Sequence, residues 1–294
     1  MKSYFSNKKS IAVLVIPGIA IMLFAISIPL IISLYLSLFR WTGFGPMHFL
    51  GGTNYARIVQ DRTFWRSLLN VCMLIVVTIG IQNVFAFYIA SLVKGLSSNF
   101  SQIMRTVFFI PATLSLVVVT RLWVNIYHPT FGMLNGIIRQ LGFPDFEVAW
   151  LGNPDTAIWS VIWIMIWQGF GWALLFLYGG LMTVPKELEE AALVDGVNRF
   201  QMQRYVVLPC MLPVIQAVVI IGIISSFKQM EMVMLSTEGG PGGTTQFLSH
   251  YLYLRAFKFG EFGYGNAISV IVVLLSVSVT VLVQRIFRRH LEHF

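Results

Sequence analysis

The chain has 294 residues, of which 57% are hydrophobic and only 11% charged, with a mean hydropathy of +0.77. That balance excludes an ordinary soluble domain and fits one bundle of about six membrane helices with modest loops. A net charge of +8 would suggest nucleic acid as the partner of a soluble protein; here the basic residues lie mostly at the ends of apolar runs, where they meet lipid head groups, and no nucleic acid is expected.

A membrane-spanning helix needs about 20 mainly apolar residues. Runs of that kind lie at approximately 10–39, 67–93, 106–127, 156–182, 213–235 and 263–287. The first is free of charge between Lys9 and Arg40 and contains Pro17 and Pro29. It is too long for a signal peptide and lacks a small-residue cleavage site, so it is expected to remain as a helix. Beyond it come Phe49-Leu50-Gly51, Asn54-Tyr55, Asp61 and Phe64-Trp65. The second run, between Arg66 and Lys94, carries Cys72 and the amides Gln82 and Asn83. The third starts after Arg105, holds Thr120, Arg121 and Asn125, and leads into Tyr127-His128-Pro129 and Gly132-Met133-Leu134-Asn135. The fourth contains Trp163, Trp167, Gln168 and Trp172.

Between the fourth and fifth runs lies a polar interruption, 183–212, that reads as a folded object. Pro185 suits a first helical position, and Glu187, Glu189 and Glu190 put negative charge at the positive end of the helix dipole. Gly196 is a natural stop just past the helix end, and Asn198 with Gln201 reads as a capped restart. The small Ala191 and Ala192 would let a partner surface approach the backbone, and Asp195 could bond the amides beside it. The segment therefore predicts a short helix, a glycine hinge and a second short helix that enters the fifth run through Leu208-Pro209 and Cys210. Cys72 and Cys210 read as small apolar residues rather than a disulfide pair.

The fifth run holds Ser225, Ser226 and Gln229, with Lys228 and Glu231 spaced to pair on one helix face. The loop after it, Gly239-Gly240-Pro241-Gly242-Gly243-Thr244-Thr245, lacks the Gly-Lys-Ser/Thr ending of a phosphate-binding loop. His290 and His293, on the tail beyond the sixth run, are too few for a metal site, and none is expected. Six crossings put both termini on one side. Assigning that side to the cytoplasm places Lys2, Lys8, Lys9, Lys94, Arg105, Lys186, Arg199, Arg204, Arg285, Arg288 and Arg289 inside. It leaves Arg40, Arg57, Arg62, Arg66, Arg139, Arg255 and Lys258 outside, a bias of eleven to seven in the direction of the positive-inside rule.

The string Glu190-Ala191-Ala192, Asp195-Gly196 and Leu208-Pro209 resembles the signature loop of inner-membrane permease subunits of binding-protein-dependent ABC importers. Val197, Gln203 and Val206 are mild departures from it. The loop strings beginning at Phe49, Tyr127 and Gly239 are similar to those of the carbohydrate branch, close to its first permease. The resemblance implies an all-α, six-helix type I importer transmembrane domain over 1–294, multi-pass in a bacterial or archaeal cytoplasmic membrane, with both termini cytoplasmic. It implies that Glu190, Ala191, Ala192, Asp195, Gly196, Leu208 and Pro209 form a coupling helix and turn that dock in a cytoplasmic ATPase. The implied partners are a second homologous permease, two ATPase subunits and an extracytoplasmic solute-binding protein, besides membrane lipid. ATP and Mg would sit in the ATPase subunits, with no cofactor, metal or catalytic residue in this chain.

Polar groups inside a span are costly and usually face a bundle interior or an aqueous cavity, which makes Gln82, Asn83, Thr120, Asn125, Gln168, Ser225, Ser226 and Gln229 candidates for the pathway. Amides and hydroxyls can exchange hydrogen bonds with a sugar while an aromatic face covers its C–H surface. Counting from the signature loop as in the maltose-type permease, the resemblance points to Met165, Gly169 and Trp172 before it and to Ser225, Ser226 and Gln229 after it. The sequence leaves open a same-fold permease for glycerol phosphate or a polyol, and an autonomous secondary transporter. Few cationic groups speak for the former, and no strong internal repeat speaks for the latter.

Overall fold

The computed structural model describes residues 8–291. Lys2 and His293 lie outside the described residues, as do the side chains of Lys8, Lys9, Arg289 and His290. In chain order the helices are α1 Ile11–Leu36, α2 Thr53–Gln60, α3 Arg62–Lys94, α4 Ser98–Thr113, α5 Leu116–Ile126 and α6 Met133–Gln140. They continue as α7 Pro154–Leu181, α8 Lys186–Val194, α9 Arg199–Lys228, α10 Glu231–Ser236, α11 Leu248–Tyr253 and α12 Phe262–Leu291. Among the described residues α1, α3, α7, α9 and α12 are each long and apolar enough to cross a membrane, and α4 with α5 adds a crossing if that bent pair counts as one. The β-structure described is a two-residue ribbon, with Phe39–Arg40 antiparallel to His48–Phe49.

Two prolines explain two irregular helix turns. A proline lacks the N–H that would bond the carbonyl four residues back, and its ring crowds that carbonyl. Just before Pro29 and Pro209 the helix widens to π-turns at Leu23–Ser27 and Gln203–Val207, where Ile28 and Leu208 bond five residues back, to Leu23 and Gln203. A third π-turn, Thr78–Gln82 in α3, has no proline behind it, and Asn83 N–H bonds the Thr78 carbonyl.

The third apolar run differs from the continuous helix expected over 106–127. It forms α4 and α5, which meet at 94°. Pro111 removes a donor from the last turn of α4, and Leu114 and Ser115 are extended, with ψ of 145° and 138°. α4 begins at Ser98, ahead of Arg105, whose guanidinium lies 4.5 Å from the centre of the Tyr178 ring. A second difference concerns Lys228 and Glu231. Gln229 is extended and ends α9 before α10 begins, so the two residues share no helix face and the expected ion pair is not formed.

The chain divides into two compact units, 1–61 with 252–274 and 62–251 with 275–294. In the first, buried Asn54 donates both amide hydrogens to chain carbonyls, of Ser37 at 2.8 Å and Phe39 at 3.0 Å. Arg57 holds both oxygens of Glu261 at 2.9 and 3.1 Å, and Tyr264 donates to Asp61 at 2.6 Å. In the second unit α7 is the central element. Ala86 and Ala90 of α3 pack on Ala173, Leu174 and Leu177 of α7, and the cluster continues through Leu181, Val207 and Met211. Small residues allow this approach, as is usual between membrane helices. A side chain at Gly171 would place its Cβ 2.6 Å from the Phe108 carbonyl of α4, and one at Gly180 would meet Val214 and Met211 of α9. Replacing Gly171 with valine should therefore cost about 1–3 kcal/mol, seen as a lower apparent Tm in detergent; an unchanged Tm would contradict the close contact of α4 with α7.

Candidate functional site

The polar interruption folds as a helix, a tight turn and a helix. Pro185 occupies the capping position before α8, with φ −60° and ψ 129°, rather than the first helical position. At the far end Gly196 has φ +76°, the left-handed conformation that costs a residue with a Cβ about 1–2 kcal/mol. Two bonds close the turn: Gly196 N–H to Leu193 C=O at 3.1 Å, and Val197 N–H to Ala192 C=O at 3.0 Å. These form a Schellman motif, which uses the amides that Asp195 was expected to bond; its carboxylate makes no side-chain hydrogen bond among the described residues. Asn198 and Gln201 then form a reciprocal capping box, with side chain to backbone bonds of 2.9 Å in both directions. The unit is closed by its own hydrogen bonds and presents Glu190, Ala191 and Asp195 outward, while Ala192 is buried.

One contact here is not legible in the sequence. Lys94, the last residue of α3, lies 2.6 Å from the Glu189 carboxylate of α8. Both side chains are about three-quarters buried, at 27% and 25% exposure, and the lysine stands at the negative end of its own helix dipole. The spacing of 95 residues between the partners hides the pair from any local reading.

Deeper in the same unit α3, α7 and α9 enclose a cavity of about 350 Å³. From α3 come Leu74, Thr78, Gln82 and Asn83; from α7, Met165, Gly169, Trp172, Ala173 and Phe176. The third wall is Val218, Ile221, Gly222, Ser225 and Ser226 of α9, with Gln229 just past its end. Of the residues proposed from sequence for the pathway, Thr120, Asn125 and Gln168 do not meet here: the Thr120 hydroxyl donates to the Leu116 carbonyl at 2.7 Å, and the Gln168 amide donates to the Leu114 carbonyl at 3.4 Å, at the break between α4 and α5. Thr78, Phe176, Ile221 and Gly222 are additional lining residues. The signal for them was spacing, since Thr78 is one helical turn from Gln82 and Gly222 one turn from Ser226.

Missing side chains shape the cavity as much as those present. A Cβ at Gly169 would sit 3.3 Å from the Gln82 amide nitrogen, and one at Gly222 would sit 3.2 Å from the Thr78 methyl. The Ser226 hydroxyl donates to the Gly222 carbonyl at 2.8 Å, which leaves its oxygen free to accept. Asn83 is 9% exposed, and its amide nitrogen has no hydrogen-bond partner. The Trp172 indole, half exposed, is braced edge-on by Phe109 at 5.0 Å between ring centres and lies beside Phe176. Among the described residues no group of three or more His, Cys, Asp or Glu is placed to hold a metal.

The chain matches the family described as "Binding-protein-dependent transport system inner membrane component" over residues 77–292. It is 30% identical over 275 residues to the probable ABC transporter permease protein YurN of Bacillus subtilis, covering 93% of this chain and 94% of that one. It is 29% identical over 283 residues to the trehalose/maltose transport system permease protein MalF of Thermococcus litoralis, covering 94% and 93%. A crystal structure of a bacterial alginate ABC transporter in complex with an alginate pentasaccharide-bound periplasmic protein contains a chain of the same fold, with TM-score 0.83, 20% identity and 99% of both chains covered.

Two measurements test the loop geometry. In Gly196→Ala the amides of Gly196's successor Val197 and of residue 196 itself should exchange hydrogen roughly tenfold faster, as the left-handed turn becomes costly; unchanged protection would contradict the closed turn. A thermal-stability cycle of Lys94→Ala, Glu189→Ala and the double variant should give a coupling of about 0.2–1 kcal/mol, and strict additivity would mean the pair contributes nothing.

Proposed function

The chain belongs to the binding-protein-dependent transport system inner membrane component family, as a multi-pass permease subunit of the inner membrane, and from that premise we propose that it forms half of the translocation pathway of an ATP-driven sugar importer. The observation that carries this reading is the connection between knob and cavity. The two helices that supply most of the cavity wall, α7 and α9, are the two joined by the α8 turn. A load applied to α8 therefore acts on both of those walls through a few residues of chain. The sugar class rests on the lining, an aromatic face with amides and hydroxyls around it, and on relatives such as the trehalose/maltose permease.

In this reading Glu190, Ala191, Ala192, Asp195 and Gly196 are the surface that docks an ATPase, and Leu208 and Pro209 carry its movement into α9. Gln82, Asn83, Met165, Gly169, Trp172, Ser225, Ser226 and Gln229 line the pathway. The complex contains a second homologous permease, two cytoplasmic ATPase subunits that hold ATP and Mg, and an extracytoplasmic solute-binding protein. ATP binding closes the ATPases and displaces α8. The spans then rock from an inward-open to an outward-open arrangement and accept sugar from the binding protein, and hydrolysis resets them. Only contacts that differ between the two arrangements transmit energy.

The test is transport by the whole complex in proteoliposomes. Gly196→Asp and Glu190→Lys are expected to insert in the membrane normally yet to uncouple sugar uptake from ATP hydrolysis, lowering uptake per ATP at least tenfold. Normal coupling in both variants would overturn the docking role. Sugar uptake by this chain reconstituted without any ATPase would overturn the importer reading in favour of an autonomous carrier.

A further inference from the structure

Within the sugar reading, on which this step rests, we infer that the cavity between α3, α7 and α9 selects uncharged saccharides against uronates, sulfonated sugars and sugar phosphates. The first observation is what the wall lacks. Among the described residues none of the lining side chains is Asp, Glu, Lys, Arg or His. Lys228 immediately precedes the lining residue Gln229 but does not itself line the cavity, and its side chain is exposed. An anion entering this site would give up its hydration and meet no countercharge, which is the costly case for any buried ion.

The second observation is the end of α9. That helix stops at Lys228, and Ser225 and Ser226 in its last turn are wall residues. The carbonyl end of a helix carries a partial negative charge of about half an elementary charge. Carbonyls left free at such an end accept hydrogen bonds from hydroxyls. Gln229, extended with ψ 117°, ends the helix there, where Ser249 already donates to the Phe227 carbonyl at 2.6 Å.

The third observation is the hydrogen-bonding character of what remains. The Asn83 amide nitrogen is buried in the cavity wall with no protein acceptor, and the Ser226 oxygen can accept because its own hydrogen is committed to Gly222. A wall with both a donor and an acceptor suits a sugar hydroxyl, which is both. The ionised group of a uronate or a sugar phosphate has only acceptors and would leave the Ser226 oxygen without a donor to accept from. Trp172, held in place by Phe109, supplies the flat apolar surface on which the C–H face of a neutral pyranose rests.

Equilibrium dialysis on the purified permease–ATPase complex without a solute-binding protein tests this, with and without a non-hydrolysable ATP analogue. The probes are radiolabelled neutral di- and trisaccharides of glucose, galactose and N-acetylglucosamine, against uronic acid oligomers of equal length and hexose phosphates. At least one neutral saccharide is expected to bind at least tenfold more tightly than every anionic probe. Its binding should weaken at least tenfold in Trp172→Ala and Asn83→Leu and be kept in Trp172→Phe, which also controls for misfolding. An anionic probe binding as tightly as the best neutral one would overturn the inference and leave the sugar reading standing. A complex that hydrolyses ATP but binds no saccharide of either class would overturn the sugar reading, and the inference with it.

Discussion

A peptide group in hydrocarbon has no water to bond, and each unpaired N–H or C=O there costs several kcal/mol. The irregular places in this chain are arranged around that penalty. Where Pro29 and Pro209 withhold a donor, the preceding turn widens and bonds shift to the residue five back. Where α4 breaks from α5, the carbonyl of Leu114 is met by the Gln168 side chain from α7. In the loops the same task falls to asparagines. Asn54 bonds the carbonyls of Ser37 and Phe39, Asn70 those of Thr244 and Gln246, and Asn135 those of Pro129 and Val148. Each is buried and each uses both amide hydrogens on backbone. The recognisable loop strings are thus, in large part, hydrogen-bond clamps for chain that has left regular structure.

The α8 turn solves a different problem with the same means. In the proposed docking role this segment has to hold its shape when its partner is absent. Here the Schellman bonds close one end and the Asn198–Gln201 box opens the next helix. Glu190 and Asp195 stay exposed beside it, with no side-chain hydrogen bond among the described residues. The conformational demand falls on Gly196 alone.

Much of this was legible in the sequence because it is local. Hydropathy marks the long helices, and the spacing of Pro185, Gly196, Asn198 and Gln201 marks the turn. Met165, Gly169 and Trp172 recur at helical intervals, as do Ser225, Ser226 and Gln229, so residues counted along one face arrive together in one cavity. What was not legible depends on contacts distant in sequence or on backbone angles. The bend at Leu114–Ser115 follows from two extended residues that hydropathy does not register. Gln168 looked like its polar neighbours in sequence but faces another helix. Lys228 and Glu231 have the right spacing for a pair, yet the chain leaves the helix between them.

The short bridge from Lys94 to Glu189 has a mechanical consequence. Helices α7 and α9 reach α8 through the covalent chain; α3 reaches it through this ion pair. Gln82 and Asn83 lie about three turns up α3 from that anchor, roughly 18 Å at 1.5 Å per residue. The cavity is therefore a chamber standing on a tripod, with all three legs footed on a single knob. Two legs are permanently fastened. The third is held to the knob by opposite charges and to α7 by the packing of Ala86 and Ala90 on Ala173, Leu174 and Leu177, so with the ion pair severed that wall would follow the knob only through α7.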